Sequence, residues 1–195
     1  MKTLELNVYN KLNELAEEGG IVIFGCGEDK YIPTCELRQA FAIEQMVYNR
    51  SFEDLSIRNA LNAYKESVTS LNAETVLIHI GESDVAFFNE DAAAFDDKYR
   101  ELIGYIKGQN KKCRIAVVSM KNRDSDPQIE ELNKHLKYIA ESEGCEYGDV
   151  AKKKVWNPKA TMEAVSFVYS LGFVHPLKNQ RPVFDLVKVF FSYGD

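Results

Sequence analysis

Much that would assign this sequence to a familiar class is missing from it. No apolar run approaches the ~20 residues that cross a bilayer, and the segment from Met1 to Glu18 has neither the apolar stretch nor the cleavage site of a secretory leader. Basic residues never gather into a run longer than Lys152-Lys153-Lys154, and the net charge is -6, which speaks against nucleic acid and anionic membranes. The four cysteines, Cys26, Cys35, Cys113 and Cys145, form no CxxC pair, so neither a zinc cage nor a disulfide framework is indicated. A cytoplasmic protein with small, packed thiols is the expectation, with no cofactor and no metal. Prolines number five, and there is no repeat, linker or low-complexity tract, so one domain over residues 1–195 is the economical organisation. At that length a single core buries about 70% of the unfolded surface.

What is present is an alternation of short β-branched runs with longer amphipathic segments, the pattern of parallel strands joined by crossover helices. Strands are expected at Ile21 to Phe24, Met46 to Tyr48, Thr75 to Ile80, Cys113 to Ser119 and Cys145 to Tyr147, with helical stretches between them. Leu4, Val8, Leu12 and Leu15 fall at helical spacing, and Gly19-Gly20 ends that first helix. Asp126 before Pro127 and Asn157 before Pro158 read as helix caps followed by the proline that a first turn tolerates. Pro182 opens a last helix whose apolar face holds Val183, Leu186, Val187, Phe190 and Phe191. The expected fold is a three-layer α/β/α sandwich with a five-stranded parallel sheet, flavodoxin-like in type.

Open parallel sheets bind ligands beyond the C-terminal ends of their strands. The residues to inspect are therefore Gly25-Cys26-Gly27-Glu28, Asn49-Arg50-Ser51, Gly81-Glu82-Ser83-Asp84, the stretch from Met120 to Asp126, and the pair His175-Pro176. The run Val76 to Asp84, then Ile115 to Ser119, then Glu131 to Leu136, in this order, resembles the SGNH (GDSL) hydrolase superfamily. The likeness extends from Ile21 to the C-terminus.

That resemblance implies an ester hydrolase in which serine attacks an acyl carbonyl, histidine takes the proton and aspartate orients the imidazole. Matched block by block, this chain departs from the pattern. The family's Gly-Asp-Ser falls on Gly25, Cys26 and Gly27, so glycine stands where the nucleophile belongs. Its Asp-x-x-His falls on Gly172, Phe173, Val174 and His175, leaving the histidine without its aspartate. Its Gly-x-Asn-Asp falls on Gly81, Glu82, Ser83 and Asp84, so the amide donor of the oxyanion hole becomes a hydroxyl. The glycine of its second block falls on Ser51. Loss of one oxyanion-hole donor costs about 2.7 to 4 kcal/mol, whereas loss of the nucleophile removes the covalent route altogether.

Each residue also has a plainer role. Gly25-Cys26-Gly27 opens like a dinucleotide loop, but the third small residue is Lys30 in that spacing and Asp29 in the methyl-donor spacing. Cys26 reads as a packed thiol rather than a nucleophile. His79 should lie opposite Ile78 and Ile80, packed under a helix, and His135 reads as a surface residue. Asp84 suits a turn or cap, Arg50 an ion pair with Glu53 or Asp54, and Phe87-Phe88 either an acyl pocket or a loop anchor. The expected function is that of a hydrolase-fold protein without serine chemistry, binding a small acyl, carboxylate or phosphate-bearing ligand or a protein partner. Cys26, Gly27, Asn49, Arg50, Ser51, Gly81, Ser83 and Asp84 are the candidate ligand contacts, with His175 as the remnant acid/base. Backbone amides at Gly27 and Ser51 would supply the anion recess. The alternatives are an acyl-ester hydrolase that uses Ser51, Ser83 or a His175-activated water, and a module that works only through its surface.

Overall fold

The computed structural model describes residues 3–122 and 125–151, together with Val187, Phe190 and Phe191 of the last helix. Five parallel strands, β1 (Ile21–Gly25), β2 (Val47–Asn49), β3 (Thr75–His79), β4 (Arg114–Val118) and β5 (Glu146–Gly148), form one sheet in the order β2-β1-β3-β4-β5. Each expected strand is present within one or two residues of its sequence bounds. The register is continuous from Ile21 opposite both Val47 and Thr75 to Val118 opposite Gly148. The order reverses between β1 and β3, which puts the topological switch point at the ends of those two strands.

Burial on both faces explains why the central strands are apolar throughout rather than alternating. On one face Val22, Phe24, Val76, Ile78, Ile115 and Val117 pack beneath helices α3 (Ile57–Ser67), α5 (Ala92–Gln109) and α6 (Pro127–Ser142). On the other, Ile21, Ile23, Leu77, Ala116 and Val118 meet Leu37 of α2 (Thr34–Ala40) and Val187, Phe190 and Phe191. This is the three-layer sandwich expected. Those three residues are helical and buried, on the face their spacing indicated, while Pro182, Val183 and Leu186 lie outside the described residues.

Local signals account for most boundaries. Asp126 caps α6 by accepting from Gln128 N at 2.8 Å, with Pro127 in the first turn. Ser56 caps α3 through Arg58 N, and Asp91 caps α5 through Ala94 N. The first helix, α1 (Thr3–Asn13), stops well short of Gly19-Gly20, and its inward side is Leu6 and Tyr9, while Leu4, Val8 and Leu12 face solvent. An edge-to-face aromatic series runs Tyr9, Phe52, Phe24, Tyr64, Tyr105, joining α1 to the sheet and to α3 and α5. Such pairs each contribute about 0.5–1.5 kcal/mol beyond their buried area.

Helix α4 (Val85–Glu90) is fixed by its aromatic residues: Phe88 is buried on Phe95, and Phe87 lies under the Arg58 guanidinium at 3.8 Å. They anchor the loop after β3 and line no pocket described below. His135 is not the free surface residue that its neighbours suggested. Its ring packs on Phe88 at 4.8 Å, and its Nδ1 lies 3.1 Å from the Asp96 carboxylate. No helix among the described residues is long and apolar enough to cross a membrane.

Candidate functional site

A cavity of about 580 Å³ opens at the C-terminal edge of the sheet, at the switch point between β1 and β3. Three connections build it: the turn after β1 (Cys26 to Asp29), the turn after β3 (Glu82 and Ser83), and the loop from β4 into α6 (Met120 to Asn122, Asp126 and Ile129). The last of these is held by a reciprocal amide clamp. Asn133 of α6 accepts from Met120 N at 2.7 Å and donates to Met120 O at 2.8 Å.

Asp29 and His79 form the deepest polar pair. Alternation along β3 directs His79 to the face opposite Ile78 and Ile80, where its ring packs edge-on against Phe191 at 4.7 Å. The sequence led to that much. What it did not give is the partner: His79 Nδ1 lies 2.7 Å from Asp29 Oδ2, and Nε2 lies 3.2 Å from the carbonyl oxygen of Ser119. Both ring nitrogens therefore face acceptors, an arrangement in which both act as donors only when the ring carries two protons.

Gly25 is what admits the pair. A Cβ there would stand 2.1 Å from Asp29 Oδ2 and 3.1 Å from His79 O, so glycine at the end of β1 is the space that the carboxylate occupies. Asn49 holds the same turn from the neighbouring strand, donating to the carbonyls of Asp29 at 2.7 Å and Lys30 at 3.3 Å.

The candidate residues divide between cavity and scaffold. Cys26, Gly27 and Ser83 line the cavity. Gly27 has φ +63, in the left-handed region, and a Cβ built on it meets nothing nearer than Glu82 Oε2 at 3.9 Å. The place of the expected nucleophile is thus open space beside a carboxylate. Cys26 is buried, and burial, followed by the charges of Asp29 and Glu82, pushes its thiol up to about 12, so it is not a thiolate near neutral pH.

The remaining candidates are engaged structurally. Ser51 is fully buried, and its Oγ accepts from Gly25 N at 3.1 Å. Arg50 does not pair with Glu53 or Asp54 as the sequence suggested: its Nε and Nη2 donate to Asn13 Oδ1 at 2.9 and 2.6 Å, and its guanidinium lies near the rings of Tyr9 and Tyr48. Asp84 accepts from Ser56 Oγ and, at 2.9 Å, from Ile57 N, tying the turn after β3 to the start of α3. Burial raises its carboxyl above the ordinary range, and those two donors oppose the rise. Gly81 sits at φ +147 in the bend ahead of the Glu82–Asp84 turn.

The expected anion recess is not formed by the two amides proposed for it. Gly27 N donates to Phe52 O at 2.9 Å, because the parallel ladder continues past the formal end of β2, and Ser51 N donates to Asn49 Oδ1 at 3.0 Å. Each backbone N–H has one proton to give, and both are engaged. His175, with Gly172, Phe173 and Val174, lies outside the described residues, as does Asn157.

The residues missed from sequence are Asp29 and Glu82 as cavity carboxylates and Asn133 as the loop clamp. A signal for Asp29 existed: His79 is a lone ionisable side chain at the end of a buried apolar strand, and burial of such a group demands a partner.

Neither a protein-family model nor a curated protein matches this sequence. Solved structures do. A protein from Streptococcus pneumonia, provisionally named a platelet activating factor, superposes with a TM-score of 0.66 at 16% identity, covering 86% of this chain and 90% of its own. A GDSL-like lipase from Bacteroides thetaiotaomicron gives 0.59 at 16% identity over 78% and 84%. An acetylxylan esterase from Geobacillus stearothermophilus gives 0.56 at 15% identity over 90% and 94%. At these identities the likeness establishes the fold, that of the SGNH/GDSL hydrolases, and leaves the chemistry to the residues of this chain.

Proposed function

We propose that this protein, a single domain over residues 1–195, uses the hydrolase fold to hold a small molecule without serine-ester chemistry. Gly27 carries this reading: where the fold's nucleophile would stand there is no side chain, and the space is continuous with the cavity. Three further observations support it. The adjacent Cys26 thiol is protonated, the amides of Gly27 and Ser51 are engaged elsewhere, and His79 presents both ring nitrogens to acceptors. A cavity of about 580 Å³ falls in the usual range of small-ligand sites, which favours ligand binding over a module that acts only through its surface. Free cysteines at all four positions support a reducing, cytoplasmic location.

Hydrolysis of p-nitrophenyl acetate by purified protein, beside His175→Ala and a buffer blank, tests the loss of esterase chemistry. The expected traces are indistinguishable from the blank; turnover that disappears in His175→Ala overturns the proposal in favour of a rebuilt esterase site. Gly27→Ser is expected to remain inactive, because serine there takes a left-handed φ that costs about 1–2 kcal/mol and the imidazole lining the cavity, His79, is directed at Asp29 and the Ser119 carbonyl instead of at this position.

A further inference from the structure

The cavity has a sign. Among the described residues that line it, four are carboxylates, Glu28, Asp29, Glu82 and Asp126, and one is a lysine, Lys121. Asp126 is engaged at the start of α6, and the His79 ring faces Asp29 on one side and the Ser119 carbonyl on the other.

Asp29 is the side chain that points to a ligand. It is only 6% exposed, and among the described residues its Oδ2 has His79 as partner while nothing donates to its Oδ1. A carboxylate nine-tenths buried with one oxygen lacking a donor is costly, and Asp29 lines the cavity, where a donor can approach. Glu82 lies at the other side of the vacant nucleophile position, its Oε2 3.9 Å from where a Cβ on Gly27 would stand. Met120 and Ile129 add an apolar lining.

We infer that the cavity selects a small organic cation: a primary amine whose ammonium donates to Asp29 Oδ1 and Glu82, and whose apolar body lies against Met120 and Ile129. This rests on the ligand-binding reading above and reverses the charge of the ligand anticipated from sequence. An ammonium suits the site because it carries three donors and no acceptor, matching the carboxylate oxygens of Asp29 and Glu82. The rise in the Cys26 thiol, to which Asp29 and Glu82 contribute after burial, has the same origin: a field that opposes a thiolate opposes any anion brought beside it.

Isothermal titration with three isosteric probes, benzylammonium, benzyl alcohol and benzoate, at fixed ionic strength tests the assignment. Benzylammonium is expected to bind about tenfold or more tighter than benzoate, the order that two carboxylates facing the ligand impose. Glu82→Gln, at an exposed position, should weaken the amine about fivefold while leaving benzyl alcohol unchanged. Asp29→Asn should weaken it further where the variant folds, and Glu82→Gln carries the test where it does not. Benzoate binding as tightly as the amine, or an amine affinity indifferent to Glu82→Gln, overturns the charge assignment while the cavity remains a ligand site. Absence of binding by all three probes overturns both.

Discussion

Among the described residues there are two aspartate–histidine pairs, and they differ in what surrounds them. Asp29–His79 sits inside, with side-chain exposures of 8% and 10%, and both ring nitrogens have protein acceptors. Asp96–His135 bridges α5 and α6, its carboxylate equally covered but its imidazole 31% exposed and engaged at Nδ1 alone among the described residues. The same two side-chain types thus serve as the floor of a cavity in one place and as a clamp between helices in the other. Water decides between them. A half-solvated imidazole can replace a lost partner with solvent, whereas the buried ring cannot, and its partner becomes indispensable.

The sharpest way to break this contrast is to remove each aspartate. Asp29→Ala should cost about 3–5 kcal/mol in a urea titration, the usual penalty for stripping one member of a buried pair. Equal losses for Asp29→Ala and Asp96→Ala would erase the distinction. Gly25→Ala should cost about 1–3 kcal/mol by overpacking, because its Cβ takes the space of Asp29 Oδ2, and the His79 ring resonances should shift in the NMR spectrum as the carboxylate moves away. Asp96→Asn should cost about 0.5–1.5 kcal/mol, the net worth of an ordinary hydrogen bond, seen as a small fall in the urea midpoint.

The least effect concerns a third buried carboxyl. Burial raises the Asp84 carboxyl above the ordinary aspartate value, so the folded chain holds that proton more tightly than the unfolded chain does. Its contribution to stability is complete below the ordinary carboxylate value and is lost as pH rises through the raised one. Asp84→Asn should flatten that part of the urea-midpoint profile, and a profile unchanged by the substitution would mean that the carboxyl is not tuned by its surroundings.

The fold was legible because buried parallel strands announce themselves as apolar runs, and Asp126-Pro127 named a helix start from two letters. The site was legible only in part. Order along the chain located the turns that line the cavity, yet Asp29 and His79 are separated by 50 residues, and no local pattern joins them. Arg50 misled for a related reason: nearby acids on the chain suggested a local ion pair, whereas burial carried the guanidinium to Asn13 in the first helix. Gly27 looked free because a sequence cannot say how far a parallel ladder continues past the last strand residue, and here it continues to Phe52, while Ser51 N is taken by the side chain of Asn49 two residues before it.

The lengths of the strands have a consequence for the protein in a crowded solution. The two outermost strands, β2 and β5, have three residues each, while β1, β3 and β4 have five. Long β-branched segments with exposed edges are templates on which other chains add strands and grow into aggregates. In this sheet the most aggregation-prone segments are enclosed between neighbours, and the rims offer short ladders on which a foreign strand finds little to extend.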